Sequence, residues 1–147
     1  KALLGKHGAQ VWYYEHKTRA YSKRMAEMKA AMPKCFAAIE LHYDGYAPRP
    51  AASGHHFQYR GAKELAAAIR DEFQRRYPQS SARRDNGIMK NMDKNGAGFL
   101  RNARGWACLV EPFFITNPAE KAFFAARHAE LAEVYCIGLA RFAYLKG

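Results

Sequence analysis

The sequence has no apolar run of about 18 residues, so no segment is long enough to cross a bilayer as a helix. It has no Cys-x-x-Cys pair. Its three cysteines, Cys35, Cys108 and Cys136, are odd in number and far apart, which argues against a zinc–cysteine site and a disulfide framework. Cys108 sits inside an apolar run, where a thiol behaves as a small hydrophobe. We read all three as reduced core residues, made in a reducing cytoplasm. Acidic residues are scarce: 13 Asp and Glu against 24 Lys and Arg, for a net charge of +11. Such a surface draws nucleic acid, anionic membrane or anionic cell wall, and charge alone does not choose among them. Lys1 to Gln10 lacks the long apolar core and small-residue cleavage site of a signal peptide. There is no initiating Met, so the true start is expected elsewhere. Repeats and low-complexity tracts are also missing.

What is present suits one folded domain. The chain has 147 residues, 49% hydrophobic and 14% aromatic, enough for one core and too apolar for disorder. Val11-Trp12-Tyr13-Tyr14 closes a strand-like run from Ala9. Thr18 is placed to cap a helix reaching about Met32, with Tyr21, Met25, Met28 and Met32 in one stripe and Pro33 as its stop. Phe36 to His42 reads as a buried strand. Tyr43 to Ser53 is a loop and Gly54 to Arg60 a second strand. Ala62 to Arg76 is a helix with Leu65, Ile69 and Phe73 on one face, and Tyr77 to Gly98 is a long irregular region. Trp106 to Val110 is the purest apolar run, a central strand ending at Glu111-Pro112. Asn117 caps a last helix, with Pro118 at its first position and Glu120 where a capping-box acid belongs. Leu131, Tyr135, Phe142 and Leu145 carry its apolar face to the C-terminus. Strands alternate with helices, which predicts an α/β fold: a mixed, largely parallel sheet with helices on both faces, in three layers.

Two of these strands are apolar until their carboxyl ends and then present ionisable groups, Glu40 and His42 on one and Glu111 on the other. Ligands of open α/β sheets bind at such ends. Glu40 and His42 are two apart and share a face. Together with Glu111 they could form a metal ligand and general-base pair, although a hydrogen-bonded His42 and a salt-bridged Glu111 would leave the same pattern.

The segment Ile39-Glu40-Leu41-His42-Tyr43-Asp44 resembles the "S-I-H-x-N" or "E-L-H-x-N" strand end of the zinc-dependent N-acetylmuramoyl-L-alanine amidases, the family of bacterial cell-separation amidases and many phage endolysins. Leu109 to Glu120 is similar to that family's "V-E-x-G-F-x-S-N-P-x-E" block, the most specific of the matches. Ser53 to Phe57 resembles its "G-x-E" strand, and Gly96 to Leu100 the stretch ahead of the last catalytic strand in phage-type members. The match runs from about Ala9 to the C-terminus. Pro112-Phe113 departs from the usual apolar-Gly pair but fits the phage-type "E-P-F-F". Asp44 stands where Asn is usual, and its expected role is to hydrogen-bond its loop.

The resemblance implies that His42 is a zinc ligand and Glu111 the catalytic glutamate. The implied reaction is hydrolysis of the amide between N-acetylmuramic acid and L-alanine, by a zinc-activated water whose proton Glu111 takes. The family's other ligands, a His and a Glu, are expected before Lys1. Residues 1–147 are then a catalytic domain without its N-terminal strand and first zinc-ligand segment. His7 and Glu15 are the candidate substitutes within the chain, but His7 belongs to a helix-to-strand block instead. His55 and His56 are neighbours on a strand and point to opposite faces, so they do not chelate one ion together; His56 or Phe57 is expected near the cleft. His16 and His128 read as surface residues. Arg83, Arg84, Lys90, Lys94, Arg101 and Arg104 crowd the long loop and the approach to the last strand. Glu40, His56, Arg83 and Arg84 are the candidate substrate-binding residues, since arginine suits stem-peptide carboxylates, although a merely solvated loop explains the charge equally well.

The expected partner is peptidoglycan, and the expected place of action is the bacterial cell wall, periplasmic or extracellular, with an endolysin flavour. The alternatives are a non-catalytic wall binder and a basic nucleic-acid module whose Tyr13, Tyr14, Tyr43, Tyr46 and Tyr59 would stack on bases. Nucleic acid is not the expected partner, because no helix-turn-helix, zinc-finger or RNP motif occurs.

Overall fold

A computed structural model describes residues 5, 8–14, 20–91 and 97–147. His7, Glu15, His16, the Thr18 cap and Lys94 lie outside the described residues. The elements in chain order are α1 (Tyr21–Ala31), β1 (Ala37–Leu41), β2 (His56–Tyr59), α2 (Lys63–Arg76), β3 (Ile88–Lys90), α3 (Ala97–Asn102), β4 (Trp106–Glu111), α4 (Pro118–Ala125) and α5 (His128–Lys146). No helix among the described residues is long and apolar enough to cross a membrane.

The strands form one sheet in the order β1-β4-β2-β3. β1 runs parallel to β4 and β2 parallel to β3, while β2 and β4 are antiparallel. β4 is central because Ala107, Cys108, Leu109 and Val110 are all buried and can be covered on both sides. Its alternation sorts the core. Cys108 and Val110 face a cluster with Phe57 of β2, Phe113 of the loop after β4, and Leu65, Ile69, Phe73, Phe124 and Phe142, supplied by α2, α4 and α5. Ala107 and Leu109 face the opposite cluster, built from Met25, Met28, Met32, Phe99 and Leu100 around α1 and α3. The sheet is therefore sandwiched between helices, in the three expected layers.

α2 forms where Leu65, Ile69 and Phe73 recur every four residues, with Glu64 in its first turn and Arg75 and Arg76 in its last, as the helix dipole favours. It packs on α5 at Gly138, where an added Cβ would lie 2.7 Å from Ile69 Cα. Hydrogen at this position lets the two helices approach, at the usual helical cost of glycine.

The structure departs from the sequence reading in several places. Ala9–Tyr14 forms no strand of the sheet. The irregular region 77–98 contains β3 and a 3-10 turn at Asp85–Gly87, and α3 starts at its end. The last helix is two helices, broken at Ala126–Arg127. Leu145 is 69% exposed and does not extend the apolar face. All three cysteines are free, as read, but only Cys108 is buried; Cys35 and Cys136 are half-buried.

Candidate active site

The sheet order brings three residues to one rim. β1 and β4 are parallel, so their carboxyl ends coincide, and β2 is antiparallel to β4, so its amino end arrives there too. His42 follows β1 and its N–H donates to Val110 O at 3.0 Å. Glu111 closes β4 and is the direct cross-strand partner of His56. Pairing and alternation put Glu40, His42, Glu111, His56 and Gln58 on the α1–α3 side of the sheet. His55 and Phe57 turn the other way. His55 is fully buried, 4.7 Å from the Phe73 ring, with Nδ1 3.0 Å from Ser80 Oγ.

Glu40 Oε1 lies 3.2 Å from His42 Nε2. This contact, more than any other, favours the protonated imidazole, against the effect of burial. Glu111 is half-buried, and its Oε2 has no hydrogen-bond partner among the described residues. Burial, with the charge of Asp44 added, pushes the Glu111 carboxyl up to about 7, opposed by His42 and Arg83. A carboxyl poised there exchanges protons readily near neutral pH, as a general base or acid must.

His56 is nearly fully buried beside it. Arg83 Nη1 donates to its Nδ1 at 2.8 Å, and Nε2 lies 3.0 Å from the Gln58 amide, which bonds Asn91 in turn. Burial and the Arg83 charge lower the His56 pKa to about 4, so the ring is neutral at pH 7. Arg83 also bonds Asp44, and its guanidinium lies over Phe114, 4.6 Å from the ring centroid. Arg84 makes no ion pair among the described residues, although its charge is felt at His56. Arg83, His56, Glu40, His42 and Glu111 are thus brought together. Lys90 is not, because it ends β3 on the far side of β2.

Other members were missed by sequence reasoning. Asp44 does bond its loop, through Gly45 N at 2.8 Å, but its other oxygen anchors Arg83. Gln58 was legible in principle, being two residues from His56 on a strand. Arg24 reaches the rim from α1, where its charge opposes protonation of His42. Glu120 makes no capping box. Its carboxylate instead accepts Gly54 N and Phe114 N, both at 2.8 Å, and so ties the approach to β2 to the loop after Glu111. Asn117 does cap α4, accepting from Ala119 N and Glu120 N, and also donates to Ala52 O.

Could this rim hold zinc? Catalytic zinc takes three protein ligands and structural zinc four. Among the described residues, no group of three His, Cys, Asp or Glu side chains is arranged to hold a metal. The described donors alone therefore do not fit the ion.

A family model described as N-acetylmuramoyl-L-alanine amidase matches residues 1–141. No curated protein sequence matches significantly. Among solved structures, the chain is similar to the N-acetylmuramoyl-L-alanine amidase AmiC2 of Nostoc punctiforme, at 20% identity and a TM-score of 0.73 over 99% of this chain and 78% of that one. An N-acetylmuramoyl-L-alanine amidase from Clostridium difficile gives 24% identity and a TM-score of 0.68 over 87% and 67%. The catalytic domain of an endolysin targeting Clostridium difficile gives 18% and 0.68 over 95% and 76%.

Proposed function

Because this chain belongs to the N-acetylmuramoyl-L-alanine amidase family, we propose that residues 1–147 act as a catalytic domain that hydrolyses the amide between N-acetylmuramic acid and L-alanine in peptidoglycan. The observation that carries the proposal is Glu111. It is a half-buried carboxyl with an unpartnered oxygen and a pKa near 7, at the rim where three strands converge. Glu111 takes a proton from the attacking water and returns it to the departing amine. Arg83, held by Asp44 and His56, faces the stem-peptide carboxylates, with Arg84 next to it in the chain. Glu40 orients His42. We assign His42 one ligand position of the zinc that the family resemblance implies, with the other donors outside the described residues. The endolysin-type reading draws support from the phage-type "E-P-F-F" block and from the fold shared with an endolysin domain.

The test is release of L-alanine amino groups from purified peptidoglycan with zinc supplied, beside Glu111→Gln and a chelator. Activity lost in both supports the assignment. The alternative is a non-catalytic wall binder, for which the net charge of +11 would supply attraction to an anionic wall. Pelleting with walls without any release, zinc present, would put that reading in its place.

A further inference from the structure

A second feature lies at the other end of β2, about 10 Å along the strand from His56. A cavity of about 530 Å³ opens between α2, β3 and the Asp85–Gly87 turn. Lys63 and Arg70, two turns apart on one face of α2, and Lys90, at the end of β3, line it with Tyr59. Asp85 is the only acid in the lining, and Asp71 beside it pairs with Arg70, so two lysines and a paired arginine face one carboxylate. Lys63 and Lys90 are exposed and make no ion pair among the described residues. Arg70 is held in place, since it donates to Asn86 O and to Asp71 Oδ1. Asp85 and Asn86 both have φ of 54°, an unfavourable left-handed backbone for two successive non-glycine residues. The bond from Arg70 helps to hold that turn as the cavity wall. Ala67 and Ile88 add apolar surface beside the Tyr59 ring.

We propose that this cavity binds a phosphate-bearing sugar or polyol, the repeating unit of an anionic envelope polymer. The lysines and Arg70 would meet the phosphate, and Tyr59, Ala67 and Ile88 the carbon skeleton. The volume exceeds what a lone phosphate ion fills. A nucleic-acid strand fits less well, because the lining offers one aromatic ring rather than a series on which bases could stack. The envelope source of the polymer rests on the amidase reading, but the pocket does not. Filled while Glu111 works, it would hold the enzyme on the wall between cleavages.

The test is titration of the protein with a glycerol phosphate oligomer at about 0.15 M salt, by calorimetry. Lys63→Gln with Lys90→Gln is expected to weaken binding about tenfold or more and to flatten its salt dependence. Both side chains are exposed and unpaired, so the fold persists, and circular dichroism checks it. Glu111→Gln is expected to bind as the unaltered protein does, so failure of the amidase assignment does not mask the result. Glycerol phosphate monomer binding as tightly as the oligomer would overturn the polymer as source. Unchanged binding by the double variant would overturn the site. A single-stranded DNA oligomer of equal charge that binds as tightly would overturn the ligand class and make the cavity part of a nucleic-acid surface.

Discussion

His55 should make the fold acid-sensitive in a way that can be isolated. Its ring is fully buried between Phe57 and Phe73, with Nδ1 near Ser80 and Nε2 unpartnered. Burial, helped by the charges of Arg70 and His56, lowers its pKa from 6.5 to about 4. A depressed folded-state pKa means that the native protein binds fewer protons than the unfolded chain between those values. The stability is therefore fully present above about pH 6.5 and drains away as the pH falls toward 4. Linkage puts the loss between pH 7 and pH 5 at about 2 kcal/mol for this ring. His56, with a similar shift, adds a similar amount in the same window. Replacing His55 by Phe removes its titration. Packing against Gly87 and loss of the Ser80 bond will shift the absolute stability of the variant, but that offset is common to both pH values and cancels. Urea unfolding followed by tryptophan fluorescence at pH 7 and pH 5 should show His55→Phe losing about 2 kcal/mol less than the unaltered protein. An identical pH dependence in the two proteins would refute the claim that this ring is held neutral.

Glu72 is buried at the α2–α5 contact, bonded to Arg75 at 2.5 Å and Arg141 at 2.9 Å. Both guanidinium groups are about half exposed, so Glu72→Gln should cost about 2 kcal/mol in urea unfolding, below the loss for a fully buried pair. Glu120→Gln leaves one acceptor for two backbone N–H groups. It should lose about 2 kcal/mol of stability and about tenfold in amino-group release. Gly138→Ala drives a methyl against Ile69 and should lower stability by about 2 kcal/mol without changing the rim, so that calorimetry moves and KM does not.

Legibility followed the distance over which each signal acts. α2 and β4 could be read because the sequence pattern and the packing agree: a four-residue repeat for one, an unbroken apolar run for the other. β3 is only three residues long, and its strand state comes from pairing with β2. Ala9–Tyr14 errs in the opposite sense. Its aromatic and β-branched residues favour a strand, but strand propensity is a fit to a partner surface, and this run pairs with none of the four strands. No glycine or proline marks the break between α4 and α5. At the site, Glu40, His42 and Glu111 stood out because ionisable groups end apolar strands. Arg83 and Asp44 are 39 residues apart, and the bond of Glu120 to Gly54 spans 66. No local pattern announces either.

The charge balance sets the candidate rim apart from its surroundings. A buried polar atom without a partner costs about 1–3 kcal/mol, so a fold selected only for stability would pair them all. Most of the rim obeys: Asp44 holds Arg83, Arg83 holds His56, and Glu120 is filled by backbone N–H groups. Yet Arg24 Nε, Glu40 Oε2 and Glu111 Oε2 lack hydrogen bonds, and the charges of all three residues are felt at His42. Three such atoms thus gather around one imidazole, as expected where local order is sacrificed to function, while His55 Nε2 is a further one on the other face of the sheet. The same arrangement separates two kinds of basic residue. Arg83 is fixed by an acid and an imidazole and can present its remaining donors in one orientation, whereas Lys63 and Lys90 make no ion pair among the described residues and answer to charge alone. Orientation at the rim and attraction at the cavity are different tasks, and the two sets of partners fit them.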